Sequence, residues 1–253
     1  MVKFLKTIYA IWGFFSFIIF YVMCFPLFAL VVQRRLWHKY ANWLNKIWAS
    51  FVFTSILMPI KVVKKTQFDK SRNYIFCANH NSYLDIPIVG FSSPKFVVFV
   101  GKSSLVKIPL FGYMFKKLHI PVNRRSIKDS YRSFEDAKKA IERNHSLLIF
   151  PEGGINDVNL PDLKKFKDGA FRIAIEKEIP IVPVTIPFNW IILPDETLQL
   201  TWHLLKIVYH EPIETKGLEM KDLPILKEKV KSTIREEMAR HFPANFSKKT
   251  AQL

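Results

Sequence analysis

The feature that most constrains the fold is a run of 27 residues, Thr7 to Gln33, that contains no charged side chain. Most of these residues are large and apolar, and at a rise of ~1.5 Å per residue about 20 residues cross the core of a bilayer. The run is too long for the apolar part of a signal peptide, and no small-residue cleavage site follows it. A pair of buried core helices would not need so long an uncharged run. The run therefore predicts a membrane-associated helix.

A second apolar stretch, Trp43 to Ile60, contains Lys46 as its only charge and carries aromatic residues suited to a membrane interface. We expect residues 1–60 to form an N-terminal apolar two-helix membrane segment. Two geometries are compatible with it: one crossing followed by an interfacial helix, or a hairpin within one leaflet. More basic residues follow the first run than precede it, which predicts a cytoplasmic membrane location with the rest of the chain on the cytosolic side.

From Lys61 onward, short apolar runs alternate with charged, helix-like segments. Seven runs fit strands and six segments fit helices, among them a strand near Ile181–Thr185 and a helix near Leu223–His241. Strands that alternate with helices predict an α/β fold with a mostly parallel sheet covered by helices on both faces. We assign residues 61–245 to this domain and expect residues 246–253 to form a loose C-terminal tail.

Composition narrows the class of partner. The formal net charge is +17, which favours an anionic partner. Most of the 23 phenylalanines lie in apolar runs and not among the basic residues, so a lipid surface is favoured and no nucleic acid is expected. The chain has no glycine-rich phosphate loop, and its two cysteines give no disulfide or zinc spacing, so neither a metal nor a cofactor is predicted.

A polar cluster, Ala78 to Asp85 (A-N-H-N-S-Y-L-D), follows the apolar strand predicted at Asn73–Cys77. Ligands gather at the carboxyl ends of strands in open α/β sheets. A turn entering a helix can bring Asp85 back to His80, so that the carboxylate orients the imidazole as a general base. The same residues would also suit an ordinary capping pair in a loop.

Two further polar clusters follow predicted strands. Asn123-Arg124-Arg125 offers guanidinium groups for a phosphate or carboxylate. Pro151-Glu152-Gly153-Gly154 combines an acid with two residues that allow close approach of backbone N–H groups. Each cluster alone also fits a solvated surface or a turn. Together they predict a base, cationic groups and a glycine turn at one edge of the sheet.

The order of these motifs resembles that of the lysophospholipid acyltransferase family. The resemblance covers about Lys61 to Phe188, and four blocks in order make it specific. The blocks are Asn79-His80-Asn81-Ser82-Tyr83-Leu84-Asp85, Ile120-Pro121-Val122-Asn123-Arg124, Phe150-Pro151-Glu152-Gly153 and Ile181-Val182-Pro183-Val184.

This resemblance implies transfer of a fatty acyl group from an acyl-CoA or acyl carrier protein thioester to the free hydroxyl of a lysolipid, with the thioester as co-substrate. The acceptor expected first is 1-acylglycerol-3-phosphate, which gives phosphatidic acid. His80 would be the general base and Asp85 its orienting partner. The substrate-binding residues implied in the same way are Asn81, Lys102, Arg124, Glu152, Gly153 and Lys167.

One departure from the family pattern affects the expected acceptor. The third block normally continues Thr-Arg, whereas this chain continues Gly154-Ile155. Either a nearby cation such as Lys164, Lys165, Lys167 or Arg172 replaces the arginine, or the acceptor is a different lysolipid, such as a lyso-aminolipid. From other classes, a serine hydrolase using Ser82 and a non-catalytic membrane-surface binding protein remain alternatives.

Overall fold

The structure is a computed structural model that describes residues 2–156, 160–197 and 199–250. Seven strands and nine α-helices alternate along these residues. The strands are β1 Ile60–Lys64, β2 Ile75–Ala78, β3 Val97–Lys102, β4 Ile120–Val122, β5 Ser146–Ile149, β6 Ile181–Thr185 and β7 Leu205–Tyr209. The helices are α1 Val2–Val31, α2 His38–Ser55, α3 Asp85–Ser92, α4 Phe111–Leu118, α5 Ile127–Glu142, α6 Gly169–Glu176, α7 Asn189–Ile192, α8 Leu223–His241 and α9 Pro243–Thr250.

The seven strands form one sheet in the order β1-β7-β6-β2-β5-β3-β4. All neighbouring strands are parallel except β6 and β7, which are antiparallel. In the centre of the sheet, Cys77 on β2 lies opposite Ile149 on β5 and Pro183 on β6. The predicted mostly parallel α/β fold is confirmed.

Helices cover both faces of the sheet. Because successive side chains of a strand point to opposite faces, Ile75 and Cys77 pack against α5, α6 and α8, whereas Phe76 and Ala78 pack on the side of α1 to α4. All four residues of β2 are buried, as expected for a central parallel strand. The carboxyl ends of β2, β5 and β6 are thereby held together at one edge.

The two N-terminal helices pack against each other and along the α/β domain. Tyr9 donates a hydrogen bond from its hydroxyl to the Ile56 carbonyl at 2.8 Å, and the Trp48 indole N–H donates to the Phe17 carbonyl at 3.2 Å. Among the described residues, one helix is long and apolar enough to cross a bilayer, over Phe4–Val31. Buried side chains of α1 and α2 belong to the same hydrophobic core as one face of the sheet, so the N-terminal segment 1–60 and the α/β domain share one core.

The predicted loose tail needs correction. Residues 246 to 250 belong to α9, and Phe246 is buried with the Arg235 guanidinium 5.1 Å above its ring. A lone aromatic residue in a polar segment gave no periodic pattern, so its contact with α8 was not predicted. Residues 251–253 lie outside the described part of the chain. The four-residue helix α7 was not predicted either.

Candidate active site

The site begins where β2 ends, at the polar cluster that follows Ala78. Asn79 fixes the start of this loop, because its side-chain amide donates to the Ile186 carbonyl at 2.9 Å and accepts from the Ile186 N–H at 2.8 Å. These two hydrogen bonds join the residue that follows β2 to the backbone of the residue that follows β6. The loop then turns into α3, whose first residue is Asp85.

His80 and Asp85 are in direct contact. His80 Nδ1 lies 2.9 Å from Asp85 Oδ2. The same oxygen accepts hydrogen bonds from the backbone N–H groups of Asn81 at 2.7 Å and Ser82 at 3.0 Å. A carboxylate can only accept, so Nδ1 carries the proton and Nε2 is the nitrogen left to accept one. The Asp85 side chain is 0% exposed, whereas that of His80 is 12% exposed.

Asn189 completes the environment of the carboxylate. Its side-chain N–H donates to Asp85 Oδ1 at 2.9 Å, and the whole residue is buried. Sequence reasoning missed this residue because it lies 104 positions away in the short helix α7. The available signal was weak: Asn189 is a polar residue inside the apolar run from Ile186 to Leu193.

Glu152 fixes the loop that carries His80 through hydrogen bonds to the backbone. One carboxylate oxygen accepts from the His80 N–H and the other from the Lys164 N–H, each at 2.9 Å. Burial raises the pKa of Glu152 from 4.5 to about 7, although these two hydrogen bonds and the nearby His80 oppose the rise. The His80 ring also stacks on Phe150, with ring centroids 4.0 Å apart. The contacts of Glu152 are therefore with the backbone that presents His80.

The glycine turn and the arginine predicted at this edge also meet. An Arg124 guanidinium N–H donates to the Gly153 carbonyl. Gly153 has φ of +79°, a conformation that favours glycine, and a Cβ there would lie 2.6 Å from Lys167 Cε. The Lys167 side chain therefore lies directly against Gly153, and Lys167 is exposed to solvent.

The other candidate cations differ in their distance from Gly154 and Ile155. Lys164 Nζ donates to the Ile155 carbonyl at 2.8 Å and is therefore close to this segment. The Arg172 guanidinium lies 5.5 Å from the ring of Phe134, on the opposite face of the sheet from α1. The described residues thus bring Arg124, Lys164 and Lys167, but not Arg172, to the glycine turn and the residues that follow it.

A cavity of about 1240 Å³ joins the polar site to the N-terminal helices. His80, Lys102, Arg124 and Gly153 line its polar part. Asn81, Asp85 and Glu152 are buried and do not line it. The Asn81 side-chain amide has no hydrogen-bond partner within the described part of the chain. Apolar side chains from α1, α2 and α4 form the rest of the wall, among them Phe14, Phe17, Ile18, Tyr21, Val22, Trp48, Val52, Phe111 and Met114.

Ser82 is not arranged as a nucleophile. Its hydroxyl donates to the Leu193 carbonyl at 2.8 Å and accepts from the Leu84 N–H at 3.2 Å, and the residue is buried. Its backbone N–H donates a hydrogen bond to the Asp85 carboxylate. Ser82 therefore stabilises the turn that brings the carboxylate to His80, and this argues against the serine hydrolase alternative.

Comparison with known proteins gives consistent matches. The family model described as Acyltransferase matches residues 59–187, about half of the chain. A 1-acyl-sn-glycerol-3-phosphate acyltransferase from Cocos nucifera is 28% identical over 159 residues, covering 62% of this chain and 51% of that protein. One from Saccharomyces cerevisiae is 31% identical over 134 residues, covering 51% of this chain and 43% of that protein. The chain spans about half the length of the curated relatives it matches.

A solved structure matches along almost the whole chain. The crystal structure of the 1-acyl-sn-glycerophosphate (LPA) acyltransferase, PlsC, from Thermotoga maritima superposes with a TM-score of 0.80, covering 95% of this chain and 97% of that one. The two sequences are 22% identical, so this likeness establishes the fold.

Proposed function

The chain belongs to the acyltransferase family, and on that premise we propose that it transfers a fatty acyl group from an acyl-CoA or acyl carrier protein thioester to the free hydroxyl of 1-acylglycerol-3-phosphate. One observation carries the proposal. His80 Nδ1 lies 2.9 Å from a buried carboxylate, and His80 lines a cavity that also contains Arg124 and the apolar side chains of α1. The names of the relatives support the acceptor class.

In the proposed reaction, His80 is the general base. Its Nε2 removes the proton from the acceptor hydroxyl as the oxygen attacks the thioester carbonyl carbon, because an alcohol is too weak an acid to attack unaided at neutral pH. The tetrahedral intermediate then collapses, the new ester forms and the carbon–sulfur bond breaks. The proton on Nε2 passes to the departing thiolate. No bond forms between the acyl group and the protein.

Asp85 has a positioning and electrostatic role in this scheme. Its four hydrogen bonds fix the carboxylate, and the carboxylate in turn fixes the tautomer and orientation of the imidazole. When the imidazole takes the proton, it becomes a cation beside a buried anion. This interaction strengthens only as the reaction proceeds, and such interactions are the ones that accelerate a chemical step.

We assign the acceptor phosphate to the cationic end of the cavity. Arg124 uses one N–H on Gly153 and retains other donors, because a guanidinium has five. Lys102 lines the same cavity, and Lys167 lies at Gly153, beside the position where the family pattern has an arginine. Lys167 is our candidate for the replacement cation. The alternative is an acceptor with a different head group.

The membrane is the proposed location, with the α/β domain on the cytosolic side of the cytoplasmic membrane. Contacts of α1 with the domain extend from Gly13, where an added Cβ would lie 2.5 Å from Leu200 Cδ2, to Gln33 just after the helix, whose side-chain amide donates to the Tyr113 hydroxyl at 2.8 Å. These contacts span about 30 Å at ~1.5 Å per residue. A helix held against the domain over this length is better suited to lie within one leaflet than to cross the bilayer away from the domain. Its exposed apolar side chains support a lipid environment.

A panel of lysolipid acceptors, each tested with acyl-CoA and acyl carrier protein thioesters, tests the proposed function. The wild type should form phosphatidic acid from 1-acylglycerol-3-phosphate. His80→Ala should abolish product formation and leave vesicle binding unchanged. Turnover retained in His80→Ala would remove the base from the mechanism. A product only from an acceptor with another head group would support the lyso-aminolipid type of alternative, and no product from any acceptor would favour the non-catalytic binding protein.

A further inference from the structure

The first two turns of α5 carry an exposed face that the fold does not use. Ile127 is 91% exposed and Tyr131 is 67% exposed, and Lys128 and Arg132 are exposed beside them. In a helix, residues four apart lie on the same side and adjacent residues are about 100° apart, so these four side chains cover an arc of about 140°. We call these four residues the α5 patch: two large apolar side chains flanked by two cations.

The rest of α5 explains why this face is distinct. The helix packs on the sheet through residues of its opposite face, including Ala137, Ala140 and Ile141. The acidic residue of the first turn, Asp129, is half-buried and lies outside the patch, and Glu135 and Asp136 follow in later turns, with Asp136 Oδ2 3.9 Å from Arg132 Nε. The apolar and basic combination is therefore confined to the end of α5 nearest the active site.

The α5 patch is close in the chain to residues that line the cavity. Arg124 and Arg125 line the cavity, and Ile127 follows Arg125 by two residues. On the other side, the cavity is bordered by Phe14 and Ile18 of α1, which line it and are also exposed. The opening of the cavity is thus flanked by an apolar membrane helix and by the α5 patch.

Exposed apolar residues connect these two sides. Ile108, Leu110 and Tyr113 are exposed, and Ile108 and Leu110 also line the cavity. Tyr113 accepts the hydrogen bond from Gln33 at the end of α1. The apolar surface therefore continues from α1 past the start of α4 towards the segment that leads into α5.

We infer that the α5 patch is a second bilayer contact of the protein, made by the catalytic domain itself with anionic phospholipid. Ile127 and Tyr131 enter the interface, and Lys128 and Arg132 bind lipid phosphates. Basic side chains close to an anionic membrane are each worth about fivefold in partitioning. Tyrosine is suited to this depth because its ring is apolar and its hydroxyl is polar.

The contact has a consequence for substrate entry. With α1 and the α5 patch both on the bilayer, the mouth of the cavity faces the lipid surface, and an acceptor lipid reaches His80 without passing through water. This consequence depends on the proposed function, whereas the contact itself does not. The test therefore uses a readout that needs no turnover.

The experiment measures the depth of a nitroxide attached to single cysteines in the full-length protein bound to vesicles of phosphatidylcholine and phosphatidylglycerol. The background is Cys24→Ser, because Cys24 is the partly exposed cysteine and Cys77 is buried. The labelled variants are Ile127→Cys and Tyr131→Cys. The matched control is Ile225→Cys, since Ile225 is another 71% exposed isoleucine near the start of a helix. The end of that helix lies near the carboxyl end of β6, because His241 contacts Phe188. Ile225 lies about 24 Å from His241 along α8 and therefore far from this edge of the sheet.

We expect labels at 127 and 131 to collide more with oxygen than with a water-soluble nickel chelate, and the label at 225 to show the reverse. Lys128→Glu/Arg132→Glu should return the label at 127 to the aqueous pattern. An aqueous pattern at both 127 and 131 on vesicle-bound protein overturns the contact. Equal immersion in vesicles of pure phosphatidylcholine overturns the role of anionic lipid. Immersed labels on a protein without acyl transfer would leave the contact standing and refute the proposed function.

Discussion

Replacement of Asp85 by asparagine should remove the charge behind His80 and preserve the fold. Oδ2 accepts three hydrogen bonds and Oδ1 accepts one, from the Asn189 side chain. The introduced amide can place its oxygen at the Oδ2 position and its nitrogen at the Oδ1 position. Asn189 can then turn its own amide over and accept, because its Oδ1 has no partner among the described residues. Asp85→Asn therefore keeps an acceptor for the Asn81 and Ser82 N–H groups, and only amide N–H groups of the two asparagine side chains lose a partner.

The expected loss is electrostatic. A hydrogen bond to a charged acceptor is worth about 1.5–3 kcal/mol, against about 0.5–1.5 kcal/mol for a neutral one. The imidazolium formed during the reaction also loses its neighbouring anion, and at an effective dielectric constant of about 20 two charges ~4 Å apart attract by at most ~4 kcal/mol. A loss of about 2–4 kcal/mol in the transition state corresponds to a fall in kcat of roughly 30- to 1000-fold.

The assay is thiol release from acyl-CoA in detergent micelles, with kcat and acceptor KM determined separately. KM should change little, because Asp85 does not line the cavity. Urea unfolding of the same preparations should show a smaller loss of free energy of unfolding for Asp85→Asn than for Asp85→Ala. Asp85→Ala is the contrasting variant, because it strands the Asn81 and Ser82 N–H groups and should also destabilise the protein. A wild-type kcat in folded Asp85→Asn would refute the role of the carboxylate.

Three further predictions concern the surroundings of His80. Arg124→Ala should raise KM for an anionic acceptor by about tenfold or more, the value of one charge-assisted hydrogen bond, and Lys167→Ala should raise it less; steady-state kinetics with charged and neutral head groups check both. Asn189→Leu should lower kcat by about tenfold at unchanged acceptor KM, because it removes the donor to Asp85 Oδ1, and a parallel loss of folded protein would point to a purely structural role. Since the pKa of Glu152 rises from 4.5 to about 7, the folded state binds the extra proton and loses about 3 kcal/mol as pH rises through this range. Urea unfolding from pH 4.5 to 8 should therefore show that the stability of Glu152→Gln relative to wild type increases with pH, on top of a constant loss because the amide nitrogen cannot accept the second N–H. A pH-independent difference would contradict the raised pKa.

Much of the fold was predictable because its signals are local. The predicted strand Ile181–Thr185 and the predicted helix Leu223–His241 have the bounds found in the structure. Buried parallel strands are short apolar runs, and the helices between them carry charge at helical spacing, so each type of element is visible in its own residues. The failures, α7 and α9, are short segments whose helical form depends on contacts with distant residues.

The candidate site was predictable to a different extent. The spacing of His80 and Asp85 indicated their contact, because both lie in one turn after one strand. The roles of Asn189 and Glu152 were not visible, because each depends on loops from other strands. Glu152 is a predicted substrate-binding residue, and the sequence did not indicate that its carboxylate accepts hydrogen bonds from the N–H groups of His80 and Lys164.

The sequence by itself determined the order of strands and helices, the apolar N-terminal helices and the contact between His80 and Asp85. These properties depend on residue type and on spacings of a few positions. Only the tertiary structure decided which cations lie near the glycine turn, because Lys167 lies against Gly153, whereas Arg172, close to it in sequence, lies over the ring of Phe134. It also decided that α1 forms a wall of the same cavity that contains His80, since contacts between residues far apart in the chain depend on how the helices pack on the sheet.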